Sequence, residues 1–420
     1  MMPHYYLSIL LIPLHGLNPT TMKQIFKYIA AFILSALGGF ALAVAGVLVF
    51  TDLTLEEYMG KFLSTDIMEM AGVVLFSIAS FFVSIFIQII LHEGGHLVCG
   101  LATGYKFISF RIFNFTLIRK DGRFYIKRFK IAGTGGQCLL TPPSKPIEEI
   151  RTALYNAGGF IANIIASTIA FLLIAGCSSA LLKVFLLLFG LTGVFMALIN
   201  GIPMKVNGIG NDGDNMLSLG KNPAAKEAMI MQLRANALIV EGYTPIEMPR
   251  EWFVAKDDPN AENISFAQDF NYSDAISLTV ELMKISYLMD LRDDTLGRME
   301  QAHKLLETAY SHKGEMMGLL VNETASELLF TSLVTGRIDL ARSLYTAELE
   351  KYIATYRKVM SSKERTLWAV AFYMNNDKEA ANAIYHNLLD HKDDFLMQGE
   401  VKMDIGLIER LQDLTINQKL

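Results

Sequence analysis

Cysteine is scarce in this chain. Only Cys99, Cys138 and Cys177 occur in 420 residues. Scattered as they are, they form neither a CxxC pair nor a disulfide framework. Each reads as a thiol in an apolar environment or a loop. A strong net charge is also missing. The formal value of −5 gives no nucleic-acid signature. Charge of either sign is absent from long runs in roughly the first half, whereas the second half is a charged, soluble-looking sequence. With 52% hydrophobic residues so unevenly spread, the length divides into a membrane part and a soluble part.

Four apolar runs exceed the roughly 20 residues that a bilayer core requires. They are Tyr28–Phe50, Ala71–Leu101, Tyr155–Ala175 and Ala180–Ile202. Gly176-Cys177-Ser178-Ser179 makes the tight connection between the last two, and Lys183 can snorkel outward from the start of the fourth. The preceding segment, Met1–Thr21, has an apolar patch too short to span and is expected to be a poorly ordered tail. Met22 looks like a more natural start. Tyr28–Phe50 is long enough to stay in the membrane, which argues against a cleaved signal peptide.

Loop charge sets the orientation. Lys23 and Lys27 precede the first run, and the loop after it carries Asp52, Glu56, Glu57, Asp66 and Glu69 against Lys61. The loop after the second run holds Lys106, Arg111, Arg119, Lys120, Arg123, Lys127, Arg128 and Lys130. The positive-inside rule places the N-terminus, this second loop and the C-terminal half in the cytoplasm. Within the basic loop, Phe107–Ile118 and Arg123–Ile131 read as two strands of a β-hairpin around Lys120-Asp121-Gly122, with Gly133-Thr134-Gly135-Gly136 closing it. Such a hairpin suits two roles: lying on anionic headgroups, or offering an edge strand to an extended substrate.

From about Asn222 amphipathic helical runs continue to the C-terminus. Glu300–Ser311, Asp339–Tyr352 and Glu379–Asp390 look alike, with Ala302, Ala341 and Ala381 about forty residues apart. That period suggests stacked helical hairpins of a tetratricopeptide-like kind, with an irregular helical domain as the alternative. His303, His312, His386 and His391 read as surface or packing histidines. The predicted architecture is therefore an all-α polytopic membrane protein with about four spans and an inserted cytoplasmic β-hairpin. Residues 22–220 form its membrane domain and 221–420 a cytoplasmic helical domain.

The sharpest motif is His92-Glu93-Gly94-Gly95-His96, at the end of a charge-free run. On a helix, the two histidines lie one turn apart on one face and reach a single Zn²⁺, with Glu93 beside them as general base. Ionisable groups at such a depth are expensive unless they act. A catalytic zinc needs a third protein ligand and an open position for water. Asp212 in Asn211-Asp212-Gly213-Asp214-Asn215 is the first candidate and Asp214 the second. The segment is not an EF-hand, because the downstream bidentate glutamate is missing. Gly94 and Gly95 keep one helix face low, either for close approach of backbone or metal or for helix packing.

HExGH within a membrane helix, followed after another span by Asn200-Gly201-Ile202-Pro203 and Asp212-Gly213, resembles the site-2 protease family of intramembrane zinc metalloproteases. The resemblance covers roughly Ala71–Asn215. It implies His92, His96 and Asp212 as zinc ligands and Glu93 as the catalytic residue. Gly158-Gly159-Phe160-Ile161-Ala162-Asn163 is similar to the family's glycine-then-asparagine segment. Asn163 and Asn200 are expected to position an unwound substrate. Three features differ from the family: the extra material Met204–Gly210 before Asp212, Asn211 where leucine is typical, and the missing proline of the segment around Gly159.

The resemblance further implies a zinc-dependent endopeptidase of a bacterial cell membrane, acting on membrane proteins or peptide precursors. The C-terminal helical domain is free to recruit a cytoplasmic partner. The rival reading is a non-proteolytic metal-binding scaffold, which has no need of Glu93.

Overall fold

The computed structural model describes residues 66–417 and Thr54, with breaks at 121, 130–134, 207–208, 256, 259 and 263. The expected tail and first span, Tyr28–Phe50, lie outside the described residues. Among those described, three helices are long and apolar enough to cross a membrane. They are α1 (Ile67–Ala102), α2 (Ala153–Gly176) and α3 (Ala180–Gly201).

Their burial pattern is inverted relative to a soluble helix. On α1 the buried residues are Ser80, Ser84, Gln88, His92, Gly95 and Gly100, while Val74, Phe82 and Val98 face outward. Water would not tolerate that surface, but lipid does, and small and polar residues then supply the helix contacts. Gly95 and Gly158 make the α1–α2 crossing. A Cβ on Gly95 would lie 2.0 Å from the Gly158 carbonyl oxygen, and one on Gly158 would lie 2.3 Å from that of Gly95. Gly94, by contrast, has open space around it. Gly95 is thus a packing glycine.

The basic loop is a four-stranded antiparallel sheet, larger than the expected hairpin. Its strands are β1 (Lys106–Ile112), β2 (Phe115–Lys120), β3 (Arg123–Arg128) and β4 (Gly136–Thr141), in the order β3-β2-β1-β4. Two features were missed. Phe107–Ile118 breaks at Phe113, whose φ of 50° turns the chain. Gly136 does not close a hairpin but begins β4, which pairs with β1 through Phe110↔Cys138 and Arg111↔Gln137. The β1–β2 turn reaches back to the membrane helix, where Phe113 stacks on Phe86 with ring centroids 5.8 Å apart.

After α3 the extra residues fold back on themselves. Two-residue strands β5 (Lys205–Val206) and β6 (Ile209–Gly210) pair and return the chain to α4 (Asp212–Ser218). Helix α5 (Pro223–Glu241) then covers the sheet: Ala237 and Val240 pack with Ile108, Ile118 and Leu139.

The remainder is helical: α6 (Ala275–Asp290), α7 (Thr295–Ser311), α8 (Gly318–Val334), α9 (Ile338–Leu344), α10 (Ala347–Tyr356), α11 (Ser361–Ala369), α12 (Lys378–Asp390) and α13 (Gln398–Asn417). Ala302, Ala341 and Ala381 are all fully buried in one core. The middle look-alike segment departs from the expected repeat, because it breaks after Leu344 into two short helices. His303 is buried beside Thr331, and His312 stacks on Tyr272 at the surface.

Candidate metal centre

His92 and His96 sit on α1, one turn apart, and face α2. Each ring is fixed through Nδ1. His96 Nδ1 lies 2.8 Å from the Tyr155 carbonyl. A carbonyl only accepts, so this nitrogen carries the proton and Nε2 keeps its lone pair. His92 Nδ1 lies 2.8 Å from Asn163 Oδ1. The amide of Asn163 is turned that way because its Nδ2 donates to the backbone carbonyl of Gln88 at 2.9 Å and to Gln88 Oε1 at 2.7 Å. His92 therefore also keeps its lone pair on Nε2. The two Nε2 atoms are 3.2 Å apart.

Asp212 closes the third side. Its Oδ2 lies 3.1 Å from His92 Nε2 and 3.3 Å from His96 Nε2. That oxygen is buried, and with the ring protons held on Nδ1 neither Nε2 donates to it. Three lone-pair atoms then converge on one point, an arrangement suited to hold a cation among them. The two-imidazole, one-carboxylate donor set is one that Zn²⁺ takes in catalytic sites. Gly159 borders the same point: a Cβ there would lie 2.5 Å from His96 Nε2 and 2.6 Å from His92 Nε2. Among the described residues, this is the one cluster of three such groups arranged to hold a metal ion.

Asn211 sets the aim of Asp212. Its Oδ1 accepts from the backbone N–H of Met204 at 3.1 Å and of Asp214 at 2.9 Å. Its Nδ2 donates to the carbonyls of Ile199 at 2.8 Å and Ile202 at 2.6 Å. One side chain thus caps α4 and ties it to the end of α3, absorbing the extra loop. Asp214 points elsewhere, toward Gly210. Gly213 lies within α4 and allows close packing, since a Cβ would meet the Gly201 carbonyl oxygen at 2.1 Å.

Glu93 lies beside the cluster, and Gly136 of β4 makes room for it: a Cβ there would fall 2.8 Å from Glu93 Oε1. Buried Arg111 on β1 donates to the Phe113 carbonyl at 2.8 Å. Burial pushes its guanidinium below the ordinary value, and the charge of Glu93 opposes that. The start of β4 therefore runs past Glu93. Asn200 is not brought into the cluster; its Nδ2 donates to the Met196 carbonyl of its own helix.

Sequence reasoning missed Gln88, Arg111, Gly136 and Asn211 as parts of this arrangement. Gln88 carried a signal, as a polar residue one turn before His92 in a charge-free run, and so did Asn211, which stands where leucine is typical.

A membrane-embedded helix pair with two histidines, a carboxylate and an adjacent glutamate defines a membrane metallopeptidase. The chain belongs to peptidase family M50, the site-2 protease family, whose profile matches residues 80–384. That match runs well beyond Asn215, where the motif resemblance ends, into the C-terminal helices. No curated protein and no solved structure matches the chain.

Proposed function

We propose that the chain is an intramembrane zinc endopeptidase that hydrolyses peptide bonds of membrane-spanning or membrane-proximal substrates. The observation that carries this reading is the convergence of His92 Nε2, His96 Nε2 and the buried Asp212 Oδ2 on one point. In this reading those three atoms hold Zn²⁺. When bound, the ion supplies Lewis acidity, acidifying a water molecule and polarising the scissile carbonyl.

The chain's own residues do the rest. Glu93 takes a proton from the attacking water and returns it to the leaving amine. Arg111 keeps positive charge near that carboxylate while its hydrogen bond to the Phe113 carbonyl ties the β1–β2 turn together. Asn163 is buried and its amide fully used, so it serves the metal site by orienting His92 and does not hold substrate. The start of β4 beside Glu93 offers extended backbone to an unwound substrate. The basic sheet and the C-terminal helices lie on the cytoplasmic side by the loop-charge argument.

Purified protein in detergent tests the metal reading. About one zinc per chain is expected, removed by chelation and strongly reduced in His92→Ala and His96→Ala. Full zinc retained after both histidines are replaced contradicts it.

A further inference from the structure

The zinc site is built with one polar side chain that neither the motif nor the ligand set includes. Gln88 lies on α1 one turn before His92 and is completely buried. Its side chain joins all three described membrane helices. Nε2 donates to the Phe189 carbonyl on α3 at 3.1 Å, and Oε1 accepts from Asn163 Nδ2 on α2 at 2.7 Å. Asn163 Oδ1 in turn accepts from His92 Nδ1. Space is reserved for the amide. A Cβ on Gly193 of α3 would lie 2.3 Å from Gln88 Nε2 and 2.2 Å from Ser167 Oγ.

This chain of amides has one permitted direction. The Phe189 carbonyl accepts only, so it fixes which end of the Gln88 amide faces α3. Oε1 must then face Asn163, which presents its Nδ2 and turns Oδ1 toward His92. Had the Asn163 amide been reversed, it would offer hydrogens to His92 Nδ1. That ring would take the other tautomer, with a proton on the nitrogen aimed at the metal. The backbone carbonyl of Gln88 opposes that reversal with one hydrogen bond, and the side chain adds the second. In hydrocarbon an Nδ2 hydrogen left without a partner has no water to turn to.

We infer that Gln88 is a positioning residue for the metal. Through Asn163, it fixes the proton of His92 on Nδ1 and so keeps the Nε2 lone pair free for Zn²⁺. The inference rests on the zinc reading of this site. Partners of this kind are worth about 10–100-fold in metal affinity. The surviving backbone contact sets the expectation for Gln88 at the lower end.

The test is a zinc titration of the full chain in detergent, against a competing chromophoric chelator, with thermal melts alongside. Gln88→Leu is expected to bind zinc roughly tenfold more weakly than wild type. Adding Asn163→Asp should restore the affinity, because the acid, neutral when buried in hydrocarbon, donates its hydroxyl to the Gln88 backbone carbonyl in place of Nδ2 and leaves its other oxygen to accept from His92 Nδ1. It does not restore the contact to Phe189, so a packing role alone would leave the double variant as weak as the single one. Affinity within twofold of wild type in Gln88→Leu, or no rescue in the double variant, overturns the inference. Wild type that binds no zinc overturns the zinc reading itself. If Gln88→Leu does not fold, Gln88→Met is read in the same titration, and failure of both to fold makes the residue structural and overturns the positioning role.

Discussion

At Asn211 a single neutral side chain makes four hydrogen bonds, two as acceptor and two as donor. Leucine fills this place in the family pattern but can make none of them. In this chain the β5–β6 loop precedes Asp212, and the asparagine returns the backbone to the end of α3. Asn211→Leu is therefore expected to weaken zinc binding about 10–100-fold although every ligand is kept, as a chelator titration would show. Asp214→Asn should stay within about twofold, because its carboxylate faces Gly210; it tests only the cap region. Asp212→Asn, by contrast, should reduce zinc affinity and activity together, and the reverse ranking of the two aspartate variants would move the third ligand to Asp214. Gly159→Ala places a methyl group where both Nε2 atoms point, and it should abolish zinc binding with little effect on the melting temperature.

Among the helices, α1 and α2 meet through Gly95 and Gly158 with backbone against backbone. Gly95→Leu should force them apart, lowering both the melting temperature and zinc occupancy. Gly94→Leu, at a position with nothing within 4 Å, should spare both. Equal damage from the two would mean that the helices do not cross at Gly95 and Gly158.

The membrane helices were legible in the sequence because charge-free length is what a bilayer demands. The HEGGH pair was legible because its spacing is helical. The sheet was legible only in part. A Lys-Asp-Gly turn announces itself, but the turn at Phe113 has no glycine to mark it, and β4 is defined by pairing with β1, a long-range contact that no local pattern encodes. The same holds for Gln88 and Asn211: their roles come from partners on other helices. In α11 even burial was hidden, since Ser-Ser-Lys-Glu-Arg-Thr-Leu-Trp looks solvated, yet Lys363 and Arg365 are fully buried.

Across the whole molecule, that buried charge gives the C-terminal helices a pH dependence. Lys363 pairs with Glu323 at 2.8 Å. Arg365 pairs with Asp404 at 2.7 Å and with Glu327. The carboxyls outnumber the cations. Burial, with Asp404 nearby, pushes Glu400 up to about 8. Burial raises Asp404 to about 6, with Arg365 and Ser361 opposing. A carboxyl with a raised folded pKa stabilises most below its unfolded value and loses that contribution as pH rises through the folded one. The contribution of Asp404 should thus fall between about pH 3.8 and 6, and that of Glu400 between about pH 4.5 and 8. Melting curves of wild type and Glu400→Gln across that range isolate one of them: the variant should lose less stability toward pH 8, and parallel curves would refute the assignment.

The central claim joins these C-terminal helices to a working protease in the membrane. It is tested most directly by comparing membrane-protein fragments in cells carrying wild type or Glu93→Gln, at matched expression and matched zinc content. Because Glu93 moves protons and is not a ligand, the variant should keep its zinc, lose the fragments and accumulate intact substrate. Identical fragment patterns at equal zinc would contradict the account and leave a metal-binding membrane scaffold in its place.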